Sequence, residues 1–327
     1  MTFDMEEQHQ KNPPSQEKPS PDSTTTDAPQ RIAHRGFKRK YSENSLSAFK
    51  DAVEAESNAI ELDLALSKDG VVVISHDASL KRCFGVKKQV AKCDYEYLKT
   101  VTMIQEPHEP VPRLYELLQY LAQPKAAHIW AFLDVKLTND PVAIIPQIAK
   151  TIASVPPAEN KPWHTRLILG CWSSAFIPQC IAHLPEFPLS LVCFDLHAAR
   201  RFFRLPNIVA YNVNQQVLMG PLGRGFLEDA HKAEKKVFVW TPNDESAIRW
   251  CIRKRVDGVV TDDPELCRQL VGTTDPSAAS DAITFSLKTE ILTISLLVAL
   301  FGWLFRLKFL PKVKVNVPPK AKPPSVH

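Results

Sequence analysis

This 327-residue chain has no Cys-x-x-Cys pair, no glycine-rich phosphate loop, no dinucleotide fingerprint and no Gly-x-Ser-x-Gly elbow. Nucleotide-driven chemistry and Ser/His/Asp hydrolysis therefore lack their usual sequence marks. Its seven cysteines are odd in number and scattered, so they make no disulfide framework and fit a reduced, cytosol-facing domain. The charge imbalance is small, a net +4, and no stripe of Lys and Arg is interleaved with aromatics. Nucleic acid is therefore not an expected partner. Residues 1–30 lack the basic start and apolar core of a secretory signal. They are also nearly free of large apolar side chains, which predicts a disordered N-terminal tail.

What the chain does contain is a core. Hydrophobic residues make up 44% and charged residues 23%, an ordinary balance for a soluble enzyme. From Arg31 to Gly272, short apolar runs alternate with amphipathic stretches. Strands are expected at Arg31–His34, Ala59–Leu64, Val71–His76, Trp130–Lys136, Leu167–Cys171, Leu189–Phe194, Ile208–Val213, Lys236–Thr241 and Gly258–Thr261. Helices are expected at Ser45–Ala55, Leu114–Leu121, Val142–Ile152, Ala175–Leu184, Arg224–Glu234 and Glu245–Lys254. That alternation predicts an α/β fold, a TIM-type (β/α)8 barrel over residues 31–272. One connection breaks the rhythm. The stretch from Ala65 to Gly70 is too short for a crossover helix, and Lys68-Asp69-Gly70 is a turn signal. An early β-hairpin is expected there, folding His76 back beside Glu61 and Asp63.

The chemistry-bearing residues sit at the ends of these runs. His34-Arg35 follows the first strand, on the rim where barrels of this type carry their sites. Glu61 and Asp63 alternate onto one face of a buried strand. Two such carboxylates stay ionised only beside a cation, and their hard oxygens suit Mg²⁺ or Ca²⁺. Asp134 is the expected third ligand, from a different strand. Lys136 shares its face and would meet a phosphate oxygen, as would the Arg35 guanidinium. His34 and His76 can move protons. Trp240 ends its strand and is a candidate wall of the substrate pocket. This is equipment for metal-assisted cleavage of a phosphodiester.

The C-terminal part changes character. A linker is expected over 273–290, a hydrophobic membrane segment over 291–310 and a basic, Pro-rich tail over 311–327. Its centre, Ile291 to Phe305, is an uncharged run of 15 residues. A full span needs about 20, so a short span, a re-entrant wedge and a half-inserted helix all fit. A buried core helix is the alternative, disfavoured because a polar linker cuts the run off from the barrel.

These residues together resemble the glycerophosphodiester phosphodiesterase family. The match comprises Ile32-Ala33-His34-Arg35-Gly36, Glu43-Asn44-Ser45, Glu61-Leu62-Asp63, Lys68-Asp69-Gly70, Ser75-His76-Asp77, Asp134-Val135-Lys136, Val239-Trp240-Thr241-Pro242-Asn243 and Asp257 through Pro264. The resemblance implies a TIM-type barrel, His34 and His76 as the acid/base pair, and Glu61, Asp63 and a third acid on a divalent metal. His76 is also described as a metal ligand in this family, and most members carry Glu where Asp134 stands. Within the family, Leu133 to Asn139, Leu169-Gly170-Cys171-Trp172 and the hydrophobic C-terminal segment resemble the fungal phosphatidylglycerol phospholipase C subfamily.

The expected function is thus a metal-dependent phospholipase C, cleaving phosphatidylglycerol to diacylglycerol and glycerol phosphate. Its partner would be a phospholipid substrate in a membrane, and no protein partner can be inferred. The expected placement is membrane-anchored with a cytosolic catalytic domain, at the endoplasmic reticulum or a lipid droplet. One rival reading is a phosphodiesterase of soluble, deacylated phospholipids such as glycerophosphocholine. The other is a non-catalytic lipid-binding protein, which would predict erosion of the acid/base pair or of the metal acids. Neither is eroded.

Overall fold

The computed structural model describes residues 28–278 and 285–309, with side chains of the last helix described to Gly302. The expectations for both tails fall largely outside the described residues. Nine strands form one sheet: β1 Gln30–His34, β2 Ala59–Leu66, β3 Val72–Ile74, β4 Trp130–Val135, β5 Leu167–Cys171, β6 Leu189–Cys193, β7 Ile208–Asn214, β8 Lys236–Trp240 and β9 Gly258–Thr261. The order is β1-β9-β8-β7-β6-β5-β4-β2-β3, and β1 also pairs with β2. Eight parallel strands therefore close into the expected barrel, and β3 alone is antiparallel.

Strand alternation divides the core in two. In β2, Ile60, Leu62 and Leu64 face the helices, as do Ala131, Leu133 and Val135 in β4. The opposite faces fill the barrel with Ile32, Ala59, Trp130, Phe132, Ile168, Val192, Phe238 and Val260. The same inward faces continue upward to Glu61, Asp63 and Asp134. Packing is close at one point: a Cβ on Gly170 would lie 2.3 Å from the Phe132 ring.

The expected hairpin forms. Leu64 pairs Ile74 and Leu66 pairs Val72, while β1 pairs only Ala59 to Glu61 of the same strand. β4 occupies the other edge of β2 as far as Leu64. So β1 and β3 share one edge, and Asp63 lies between them, its carbonyl accepting from Ser75 N at 2.9 Å.

Helices Leu46–Glu54, Leu114–Leu121, Pro141–Ala153, Phe176–His183, Phe226–Lys232 and Glu245–Arg253 lie where the pattern places them, within two residues at each end. Two features were not expected. Between β3 and Leu114, the chain makes an excursion with its own small core of Leu80, Phe84, Val90, Leu98, Met103 and Val111. After β9 comes helix Pro264–Thr273, capped by Asp263, whose side chain accepts from Leu266 N.

The terminal helix runs from Phe285 to Phe309, starting six residues before the expected segment. Its described part does not stand off from the barrel. Leu287, Ile291 and Ser295 are buried, and Ile294 and Val298 pack against the main core. It lies on the short helix Gln215–Met219, with Gln216 Nε2 donating to Glu290 Oε1 at 2.9 Å. Part of the expected polar linker, residues 279–284, lies outside the described residues; the helix that follows it rests on the barrel through one face. A one-sided apolar stripe at helical spacing, Leu287, Ile291, Ile294 and Val298, gives it a docking face. The other side exposes Phe285, Leu292, Leu296 and Leu300. By length and composition this is one helix long and apolar enough to cross a membrane.

Candidate active site

Everything expected of the site gathers at the C-terminal rim. β1 ends at His34, in register with Glu61, and Asp63 is in register with Asp134. Arg35 then turns the chain with φ 58°, and Gly36 follows at φ 82°. A Cβ on Gly36 would lie 2.7 Å from the Ala48 backbone, so glycine lets this loop close onto the first helix. The unusual Arg35 conformation is held from three sides. Its N–H donates to Glu61 Oε2 at 2.9 Å, and its guanidinium meets Glu43 at 2.9 Å and Asp63 at 3.3 Å.

Glu61, Asp63 and Asp134 are all buried, and each offers an oxygen within 4.8 Å of the others. The shorter Asp134 reaches the group because its strand is the direct neighbour of β2. Burial pushes the Glu61 carboxyl well up, and the charges of Asp63 and Asp134 add to that. Asp63 goes the other way. Burial would raise it, but Lys136 and Arg35 hold it well below the usual carboxylate range. Asn44 Nδ2 also donates to Asp63 at 2.8 Å. Two cations thus face three acids, and the leftover acid is Glu61. That donor set fits a hard divalent cation, which would neutralise the third carboxylate.

Lys136, expected to meet a phosphate oxygen, has its ammonium between Asp63 and Asp134, at 2.6 and 2.7 Å. The reason is electrostatic: in a buried cluster of acids, the nearest ammonium pairs with them.

Both histidines are backed by carboxylates. His34 Nδ1 lies 2.5 Å from Asp262 Oδ1, and His76 Nδ1 lies 2.7 Å from Asp77 Oδ1. An ionised partner accepts a hydrogen bond from Nδ1–H, which fixes that tautomer and leaves Nε2 to the site. Burial lowers the His34 pKa, against the pull of Asp262. Asp262 itself would be raised by burial, but hydrogen bonds from His34 and Lys38 hold it at about 2. Asp77 is held at about 2, chiefly by Arg82, whose Nε donates to it at 2.7 Å.

Trp240 stands at the rim as expected, in a triangle with Trp172 and Phe194 whose ring centroids are 5.2 to 5.7 Å apart. Trp172 Nε1 donates to Asp134 Oδ1 at 2.7 Å, so the aromatic wall is bolted to the acid cluster. Asp262, Asp77, Glu43 and Trp172 had no expected role. Asp262 and Trp172 each follow a strand directly, the position that marks a rim residue.

Comparison with known proteins agrees with this geometry. The family model described as "Glycerophosphoryl diester phosphodiesterase family" matches residues 34–266. A glycerophosphodiester phosphodiesterase of Bacillus altitudinis is 26% identical over 247 residues, 72% of this chain and 94% of that protein. The human protein named lysophospholipase D GDPD3 is 24% identical over 286 residues, 75% of this chain and 86% of that one. Among solved structures, an Oleispira antarctica phosphodiesterase bound to its product sn-glycerol-3-phosphate superposes with a TM-score of 0.66 at 21% identity. It covers 75% of this chain and 98% of its own. This last likeness concerns the fold.

Proposed function

The chain belongs to the glycerophosphoryl diester phosphodiesterase family and is a phosphoric diester hydrolase; from that premise we propose that it is a metal-dependent phospholipase C acting on phosphatidylglycerol. The observation that carries the reading is the buried acid trio of Glu61, Asp63 and Asp134, with two carboxylate-backed histidines on the same rim. A divalent cation held by the trio would offset charge building on the phosphate oxygens.

The rest of the chemistry falls to side chains. The headgroup glycerol carries a hydroxyl vicinal to the phosphodiester, so attack can come from within the substrate at small entropic cost. His34, whose charged form burial disfavours, fits the acceptor of that proton. His76, more exposed and beside ionised Asp77, fits the donor to the departing diacylglycerol oxygen. Arg35, held in place by Glu43 and Asp63, turns its remaining donors to the phosphate. Water then opens the cyclic phosphate to glycerol phosphate. Trp240 forms part of the pocket wall.

A membrane substrate is supported by the terminal helix, whose apolar outer face has no partner among the described residues. We place the barrel in the cytosol and the helix in the membrane of the endoplasmic reticulum or a lipid droplet. Protease treatment of intact microsomes, with a tag at each end, tests this. Removal of the N-terminal tag and the barrel is expected, and their protection overturns the placement.

The relatives' names favour a second reading: cleavage of lysophospholipids or glycerophosphodiesters on the headgroup side. Purified protein assayed side by side on phosphatidylglycerol, phosphatidylinositol, lysophosphatidylcholine and glycerophosphocholine separates the two. Diacylglycerol from phosphatidylglycerol is the expected result. Choline release without diacylglycerol replaces it with the second reading.

A further inference from the structure

The terminal helix does more than touch the barrel. Between it and the β6 rim lies an apolar groove of about 320 Å³, at the small end of the ~300–1,000 Å³ usual for small-molecule sites. One wall is Phe194. The other is a stripe of the helix, Ile294, Leu297, Val298 and Phe301. Leu297 and Phe301 are about half exposed, at 46% and 56%. The groove's acidic neighbour, Asp195, accepts from Ala198 N at 3.0 Å and so caps the turn behind it.

Phe194 also belongs to the aromatic triangle with Trp172 and Trp240. Trp172 in turn is bonded to Asp134. A smaller cavity of about 30 Å³ touches both Trp172 and Phe194 and shares Phe194 and Asp195 with the groove. A chain of side-chain contacts thus runs from Trp172, hydrogen-bonded to the acid cluster, through Phe194 to the groove beside the helix. Apart from Asp195, whose carboxylate disfavours an anionic ligand, the groove is lined by apolar side chains, and a flexible hydrocarbon matches it.

We propose that this groove is a subsite for the aliphatic chain of a lipid phosphodiester whose phosphate lies at the acid cluster. The inference rests on the hydrolase reading above and adds to it how the enzyme would sense a chain. The helix then serves as one wall of the substrate site as well as an anchor. Chain length should be read as affinity, because each buried methylene can strengthen binding by up to about fourfold. The gain should stop once the groove is full.

The test uses the full chain in phosphatidylcholine nanodiscs. Substrates are glycerophosphoglycerol and its 1-hexanoyl, 1-octanoyl and 1-decanoyl derivatives, kept below their micelle concentrations. The readout is kcat/KM for each chained diester divided by that for the chainless one in the same preparation. In the wild type this ratio should climb at least tenfold from hexanoyl to decanoyl. Leu297→Glu makes the groove polar and Leu297→Trp fills it. Both changes are at a half-exposed position that the fold tolerates, and both should flatten the climb at least fivefold. A decanoyl analogue with a terminal diazirine should label the helix peptide spanning 294–301. A flat wild-type series, a climb unchanged in both variants, or labelling only outside that helix overturns the subsite. Failure of the wild type to cleave any member of the series overturns the phosphatidylglycerol reading on which the subsite rests.

Discussion

At the scale of single residues, the site balances charge against burial. His34→Ala and His76→Ala should each lower kcat by at least ~10²-fold while leaving the melting temperature within a few degrees. Retained turnover in either well-folded variant removes that residue from proton transfer. Asp262 has a consequence for stability as well. Its folded pKa of about 2 lies below the ordinary 3.8. A depressed carboxyl stabilises the fold above its unfolded pKa, and that contribution fades as pH falls from 3.8 towards 2. After allowance for solvent screening, the contribution is roughly 1–2 kcal/mol. Asp262→Asn should therefore weaken the protein at neutral pH and flatten its acid unfolding between those values, as followed by circular dichroism. Lys136 gives a third expectation. It already pairs with Asp63 and Asp134, so those two do not depend on an ion for burial, and Glu61, its pKa pushed well up, can take a proton instead. Chelation should silence turnover, with recovery in Mg²⁺ or Ca²⁺, yet shift the thermal transition little. Activity in excess chelator, or global unfolding on chelation, contradicts the assignment.

At the scale of elements, packing tolerances set the expectations. Gly170→Ala drives a methyl into Phe132, which is fully buried inside the barrel. The cost should be ~1–3 kcal/mol, with partial recovery when Phe132→Leu is added. Urea unfolding of the two variants decides it. Gly220 plays the same part for the terminal helix, since a Cβ there would approach Ser295 Oγ to 2.5 Å. Gly220→Val should lift the helix from its seat and speed proteolysis between residues 274 and 290. The nine strands were legible in sequence, because each is a short apolar run. Glu61, Asp63 and Asp134 were legible because acids are costly inside such runs. The ion pairs of Lys136 were not, because a lysine's partner depends on which acids lie across the strand boundary. The helix Pro264–Thr273 was overlooked although Asp263-Pro264 is a start signal, a polar cap followed by proline. The small core under Leu80 and Met103 escaped because its contributors are spread thinly over irregular chain with no period to read. The docking of the terminal helix escaped for a different reason. Hydropathy measures how apolar a helix is and not which of its sides is already covered.

At the scale of the whole molecule, the terminal helix and the barrel behave as one piece. Leu287, Ile291 and Ser295 are shielded on the barrel side, and the helix passes the Phe194 edge of the mouth. A tether of random coil would let the barrel swivel and meet the bilayer with any side. A helix seated along about three turns removes that freedom. With its far end in the bilayer, as proposed, the mouth keeps a fixed tilt to the lipid plane. Search for substrate then becomes two-dimensional. Turnover should follow the mole fraction of substrate within the membrane and ignore its bulk concentration. Diluting phosphatidylglycerol into an inert lipid at constant total substrate should slow the reaction in proportion. Releasing the helix through Gly220→Val should weaken that surface dilution, because a barrel free to turn is no longer aimed by the membrane it rides on.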